Sequence, residues 1–321
     1  MLESYLKTAE GKSVLMDWLT TVDHKKIGVM YIFAAVFFFL LAGIEAILIR
    51  IQLIVPNNDF LSASTYNEMI TMHGTTMMFF AALPILFGLM NFIVPLQIGA
   101  RDVAFPFLNA LGFWLFFFGG VLLNISWFFG ALPDAGWTAY SSLALDSAGV
   151  GVDYYLLSVQ ISGFGTIISA INFLVTIVNM RVPGMMENDP WDGRTLEWAI
   201  SSPPPEYNFV QVPLVKSLDA FFTQKYGGKD EGFVDAEPAG MIHMPNPSIL
   251  PLFIAIGLFI AGLAIIYHQF VIAAIGILIT LLSMLTRSVK DELSHRGKAK
   301  GCNTANRKDL RNCFCYSEFR I

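Results

Sequence analysis

Apolar residues gather into six long runs, at about 27–49, 69–94, 103–130, 154–180, 248–267 and 270–286, with polar and charged residues returning between them. A helix needs ~20 mostly apolar residues to cross the hydrocarbon of a bilayer, so each run is a candidate span. The last two are joined only by Tyr267-His268-Gln269 and read as a tight hairpin. The pattern predicts an all-α polytopic membrane protein with six transmembrane helices. It divides into an N-terminal four-helix bundle (1–186), a polar segment rich in Pro and charge (187–247), a C-terminal transmembrane hairpin (248–286) and a basic tail (287–321).

Composition supports that class. The 321 residues are 55% hydrophobic and only 14% charged, against about 25% charged in ordinary soluble domains. Mean hydropathy is +0.58. A net charge of −5 argues against a nucleic-acid partner. The first 26 residues are polar and end in Lys25-Lys26, so no cleavable leader is expected. Cys302, Cys313 and Cys315 match no zinc or disulfide spacing and read as bystander thiols.

Basic residues set the expected orientation, because they favour the cytoplasmic side. Lys7, Lys12, Lys25 and Lys26 precede the first span, Arg101 sits between the second and third, and five Lys or Arg fall in 181–247. The 131–153 loop and the 267–270 turn carry none. Six crossings with both termini in the cytoplasm follow.

Polar groups inside spans carry the candidate chemistry, since an ionisable side chain in hydrocarbon is costly and needs a partner or a function. His73 lies about a turn inside the outer end of the second span. It reads either as a histidine bonded to a neighbouring helix or as a haem-iron ligand, with Gly74 giving a flat ring room to approach. Arg50 either snorkels to the interface or meets an oxygen substituent of a macrocycle at the depth of His73. Asp102, before the third span, either caps that helix or collects protons at the mouth of a water path. Asn91, Asn109, Ser162, Thr166 and Asn172 then line the path or serve as packing glue. His24, His243, His268 and His295 lack the spacing of a metal site within a span.

These residues sit in strings that resemble subunit I of the haem–copper oxidases, closest to the cytochrome c oxidases of Gram-positive bacteria. The strings are WLTTVDHKKIGVMY, GIEAILIRIQL, YNEMITMHGTTM, NFIVPLQIGARDVAFPFLNALGFWLFFFGG, DAGWTAYSSL and INFLVTIVNMRVPGM, covering roughly 18–185. DPWDGRTLEW, SSPPPEYNF and IHMPNPSILPL resemble the family's far C-terminal end. The resemblance implies that His73 is an axial ligand of a low-spin haem A and that Arg50 contacts the haem formyl. It makes Asp102 the entrance of a proton channel with Asn91, Asn109, Asn172 and Ser162 along it. Gly165 and Thr166 stand where the family more often has serines.

It also implies a gap. Between Met186 and Glu187 the family carries eight further helices holding the copper B ligands, the high-spin haem ligand and the second low-spin ligand. An internally deleted subunit I of a respiratory, proton-pumping oxidase is therefore expected, in a bacterial plasma membrane, inactive alone toward oxygen. Subunits II and III and cytochrome c are the implied partners. From about 296 the family pattern is lost abruptly, as in a disordered or frameshifted tail. Two alternatives stand: a quinol oxidase subunit, which Leu41, Glu45, Thr65 and Glu68 disfavour at the positions of the quinol-site residues, and a non-catalytic membrane remnant.

Overall fold

The computed structural model describes residues 13–147, 149–182 and 244–304 (side chains to 290), and between them residues 196, 200, 203–209, 213–215, 223, 226, 233 and 234. The Met186–Glu187 junction, most of the polar segment, His243 and residues beyond 304 lie outside the described residues.

A short helix, α1 (Val14–Leu19), leads into α2 (His24–Gln52). α3 (Ala63–Thr75) passes through a π-helical stretch (Thr76–Ala82) into α4 (Leu83–Gln97), forming one 35-residue crossing. α5 (Pro106–Phe129), a short α6 (Ser141–Asp146) and α7 (Gly151–Asn179) complete the N-terminal bundle. α8 (Leu250–Ile266) and α9 (Phe270–Thr304) form the hairpin. A two-residue antiparallel ladder, β1 (Leu214–Val215) with β2 (Phe233–Val234), is the one strand pairing among the described residues.

The spans fall where the apolar runs place them, with differences at their ends. Side-chain caps carry helices past the apolar run: Asp23 accepts the N–H of Lys25 before α2, and Ser62 accepts that of Thr65 before α3. Among the described residues, five helices are long and apolar enough to cross a membrane. α8, with 17 residues, is shorter; at 1.5 Å per residue it covers roughly 25 Å, the lower end of a crossing. α9 runs through to Thr304, so the stretch from 287 to 304, expected to be a disordered or frameshifted tail, continues the hairpin's second helix.

Proline explains the break in the second crossing. Pro84 has no N–H to give the carbonyl of Phe80, and its ring crowds the preceding turn, so the ladder widens into the π stretch.

Close approach of small residues sets the packing. α5 and α7 form the most extensive helix pair, and a Cβ on Gly165 would lie 2.7 Å from the carbonyl oxygen of Gly112. That contact explains glycine at 165, where the resemblance puts serine in other members. Gly28 and Gly88 bring α2 and α4 together in the same way, with a Cβ on Gly28 2.7 Å from Gly88 oxygen. Tyr31, Phe38, Phe80, Phe113 and Phe116 fill the centre, with Tyr31 edge-on to Phe113 at 5.1 Å. The hairpin packs on this bundle: Phe259 meets Phe118 at 5.6 Å and the Tyr154 hydroxyl donates to that of Tyr267 at 3.0 Å.

Candidate haem-ligand and proton-uptake sites

His73 projects from α3 onto α2, where its Nδ1 lies 2.9 Å from the carbonyl oxygen of Ala42. A carbonyl only accepts, so Nδ1 carries a proton, and in the neutral ring Nε2 then carries the lone pair. This is the tautomer a metal ligand needs, with the second nitrogen fixed by a backbone acceptor. The two readings of His73 are thus compatible: it is bonded to its neighbour helix through one nitrogen and can bind iron through the other. Gly74 does not leave open room, because a Cβ there would meet Trp137 at 3.0 Å. Trp137 is held in turn: Gly136 N–H donates to the Thr71 hydroxyl at 2.9 Å, and Tyr155 donates to the Trp137 carbonyl at 2.8 Å.

Arg50 is exposed near the C-terminal end of α2. Ala42, the contact of His73, lies eight residues earlier, or roughly 12 Å along the axis. The backbone of Arg50 thus stands about two turns along α2 from the contact of His73, with its long side chain leaning back toward that contact. Between them sits Glu45, 2% exposed, whose Oε1 accepts the Trp127 indole N–H at 3.1 Å. Its Oε2 has no hydrogen-bond partner, and the residue lines an apolar cavity of about 650 Å³ between α2 and α5.

At the other end of the bundle, Asp102 is 5% exposed in the turn before α5. It does not cap that helix, whose N-cap is Phe105. Its Oδ1 accepts the N–H of Val103 at 2.7 Å, and its Oδ2 is buried without a partner. Burial pushes its carboxyl well above the usual carboxylate range, opposed by the Val103 amide bond. The loop is clamped from α7: Asn172 Oδ1 accepts from Phe105 N–H and Thr176 from Ala104 N–H, both at 2.8 Å.

The predicted channel residues separate into two groups. Asn172 spends both ends of its amide on Phe105 and acts as a clamp. Asn109 is fully buried with neither amide atom bonded, and Asn91 keeps an unpartnered Oδ1. Ser162 and Thr166 line a cavity of about 330 Å³ together with Tyr31 and Ser169. Buried polar atoms without protein partners are the positions that ordered water satisfies.

Comparison with known proteins follows this geometry. The family model for "Cytochrome C and Quinol oxidase polypeptide I" matches residues 26–195. The chain belongs to this family. It is 65% identical over 185 residues to cytochrome c oxidase subunit 1 of Bacillus subtilis (strain 168), covering 58% of this chain and 30% of that protein. It is 69% identical over 174 residues to the subunit of the same name from Bacillus sp. (strain PS3), covering 54% and 28%. To quinol oxidase subunit 1 of Bacillus subtilis (strain 168) it is 55% identical over 171 residues, covering 53% and 26%. The match spans less than a third of the length of these relatives. A multi-pass helical membrane protein of the haem–copper oxidase subunit I family is the result.

One cluster at the start of α2 was passed over by sequence reasoning. His24 is wholly buried at the start of α2. Pro95 leaves the carbonyl of Asn91 without its helical N–H, and His24 Nδ1 takes that oxygen at 2.7 Å. Asn208 donates to His24 Nε2 at 2.9 Å and to the Ala100 carbonyl at 2.9 Å. Lys25, also buried, donates to Asn208 Oδ1 at 2.7 Å and to the Glu206 carbonyl at 2.9 Å, and pairs with Asp23 at 3.0 Å. Arg101 Nε donates to the Phe209 carbonyl at 3.2 Å. Residues 206–209 thereby cover the turn that holds Asp102. The usable signal was Pro95 four residues after Asn91, which announces a carbonyl needing a donor from elsewhere.

Proposed function

We propose that this chain is subunit I of a respiratory cytochrome c oxidase, in an internally shortened form, whose family reaction passes electrons from cytochrome c to oxygen and pumps protons. The observation that carries this is the fixed tautomer of His73, with Nδ1–H on the Ala42 carbonyl and Nε2 left to bind iron. A haem A bound there would supply reversible one-electron transfer. His73 would hold its iron from one side, and Arg50 would reach its formyl group only by extending down α2. Asp102 would take protons from the cytoplasm, with Asn91, Asn109 and Ser162 guiding water inward and Asn172 holding the mouth in shape.

Oxygen reduction, copper B and the high-spin haem belong, on this reading, to the helices between the residues that adjoin at Met186–Glu187. The chain alone would reduce no oxygen. Its partners would be subunits II and III, with cytochrome c as donor through subunit II, in a bacterial plasma membrane with both termini cytoplasmic. Ser13, near one end of the described chain, lines the same pocket as Lys290, near the other. That shared end supports an even number of crossings.

Haem A titration of the purified full chain tests the site. One haem per chain is expected, with a spectrum that His73→Ala abolishes and Arg50→Gln shifts. Identical spectra for His73→Ala and the parent chain would overturn the assignment. Sequencing source DNA across the Met186 and Glu187 codons decides whether the shortening is real.

A quinol-oxidising reading has one observation in its favour: the Glu45 carboxyl, its Oε2 without a hydrogen-bond partner, lines an apolar cavity. Quinone-analogue binding that survives Glu45→Gln unchanged would remove that support.

A further inference from the structure

We infer that the end of the bundle bearing α1 and Arg287 holds a headgroup site for an anionic phospholipid. A pocket of about 620 Å³ opens there between α1, the turn before α8, and α9. Arg287 and Lys290, three residues apart on α9, both line it, and so do Ser13, Thr20, Asn246 and Ser248. The Arg287 guanidinium lies 4.7 Å above the Phe107 ring.

The donors are suited to a phosphate. Ser13 Oγ accepts the N–H of Met16 and Ser248 Oγ that of Leu250, so each hydroxyl proton is left to be given elsewhere. α8 begins beside the pocket, with its first N–H, that of Leu250, already given to Ser248 and none on Pro251, so the side chains carry the site. Two cations and two hydroxyl donors converge, and among the described residues that line the pocket none is acidic. Thr20 and Ser248 are joined directly, the N–H of Ser248 donating to the Thr20 carbonyl at 2.8 Å, so the walls are one connected unit.

The apolar features select a lipid over free phosphate. Met16 and Leu250 line the pocket beside the polar groups. Met284 and Leu281, at three-residue steps before Arg287 on α9, are about half exposed and lie within the crossing part of that helix. They offer a track for acyl chains leading away from the two cations. A headgroup at the polar rim with chains along α9 uses both surfaces.

The test is thermal unfolding of the full chain in neutral detergent, titrated with phosphatidylglycerol, phosphatidylcholine or inorganic phosphate. Phosphatidylglycerol is expected to raise the melting temperature and phosphatidylcholine to leave it unchanged. Arg287→Gln and Lys290→Gln are each expected to weaken the apparent affinity about fivefold, from the usual contribution of one basic residue near an anionic headgroup. Lys290 is exposed, so K290Q should melt like the parent chain without lipid. Equal shifts from both lipids, an unchanged affinity in K290Q, or a full shift from phosphate alone would each overturn the assignment.

Discussion

The two ends of the bundle treat buried charge in opposite ways. Around Lys25 the charges are met by other parts of the chain: Asp23, Asn208 and the Glu206 carbonyl surround the ammonium, and His24 has partners on both nitrogens. Around His73 and Glu45 the bonding stops halfway, with one ring nitrogen and one carboxylate oxygen used. The first arrangement is self-sufficient and belongs to folding. The second is half of a site, and the other half must come from a bound group or a further helix. Buried, unsatisfied polar atoms cost free energy that packing alone does not return, so their position marks where function is concentrated.

The contrast breaks most visibly at Lys25. Lys25→Ala leaves Asp23 and the Asn208 carbonyl oxygen buried without their cation, and a cost of about 3–5 kcal/mol is expected from loss of one partner of a buried pair. Denaturation in mixed micelles reads it, and a loss below about 1 kcal/mol would show that the cluster does not stabilise the fold. Asn208→Ala removes hydrogen bonds to Lys25, His24 and Ala100 together, and about 2–3 kcal/mol is expected. His73→Ala should cost much less, about 1 kcal/mol for one bond to a carbonyl, while abolishing haem binding. Equal losses at Asn208 and His73 would erase the distinction between the two ends.

The sequence made the spans legible because a bilayer imposes one length scale and one polarity on every crossing. His73 and Asp102 were legible for the same reason, as ionisable groups at or near spans. What stayed hidden was long-range. Asn208 is 184 residues from His24, and nothing local in Ser-Pro-Pro-Pro-Glu-Tyr-Asn marks it as the residue that fills the polar gap at the start of α2. The offset between Arg50 and His73 was equally out of reach, since it depends on where α3 crosses α2 and not on the length of the connecting loop. Asn172 was read as lining a channel or as packing glue, and nothing local showed that its amide is consumed by Phe105. The continuation of α9 to Thr304 was missed because loss of the family pattern near 296 was read as a disordered or frameshifted end, and the local basic composition gave no sign of a helix running on.

Asp102 gives the finest test of the contrast, because it stands at the self-sufficient end with one oxygen unpaired. Its carboxyl is raised by burial, so the folded chain holds a proton that the unfolded chain releases near the ordinary value of about 4. The sign follows from linkage: stability is fully present below that value and declines as pH rises toward the elevated one, because the unfolded state binds fewer protons across this window. Asp102→Asn removes the titration and keeps the shape. The variant should melt at the parent's temperature at acid pH and above it at neutral pH, with a gap that widens as pH increases. The reverse trend, a variant that loses ground as pH rises, would mean that Lys25 holds the carboxylate ionised and that this end of the bundle is electrostatically closed. The expected trend instead leaves a neutral acid whose Oδ2 has no hydrogen-bond partner among the described residues, a group able to give up a proton and take up another.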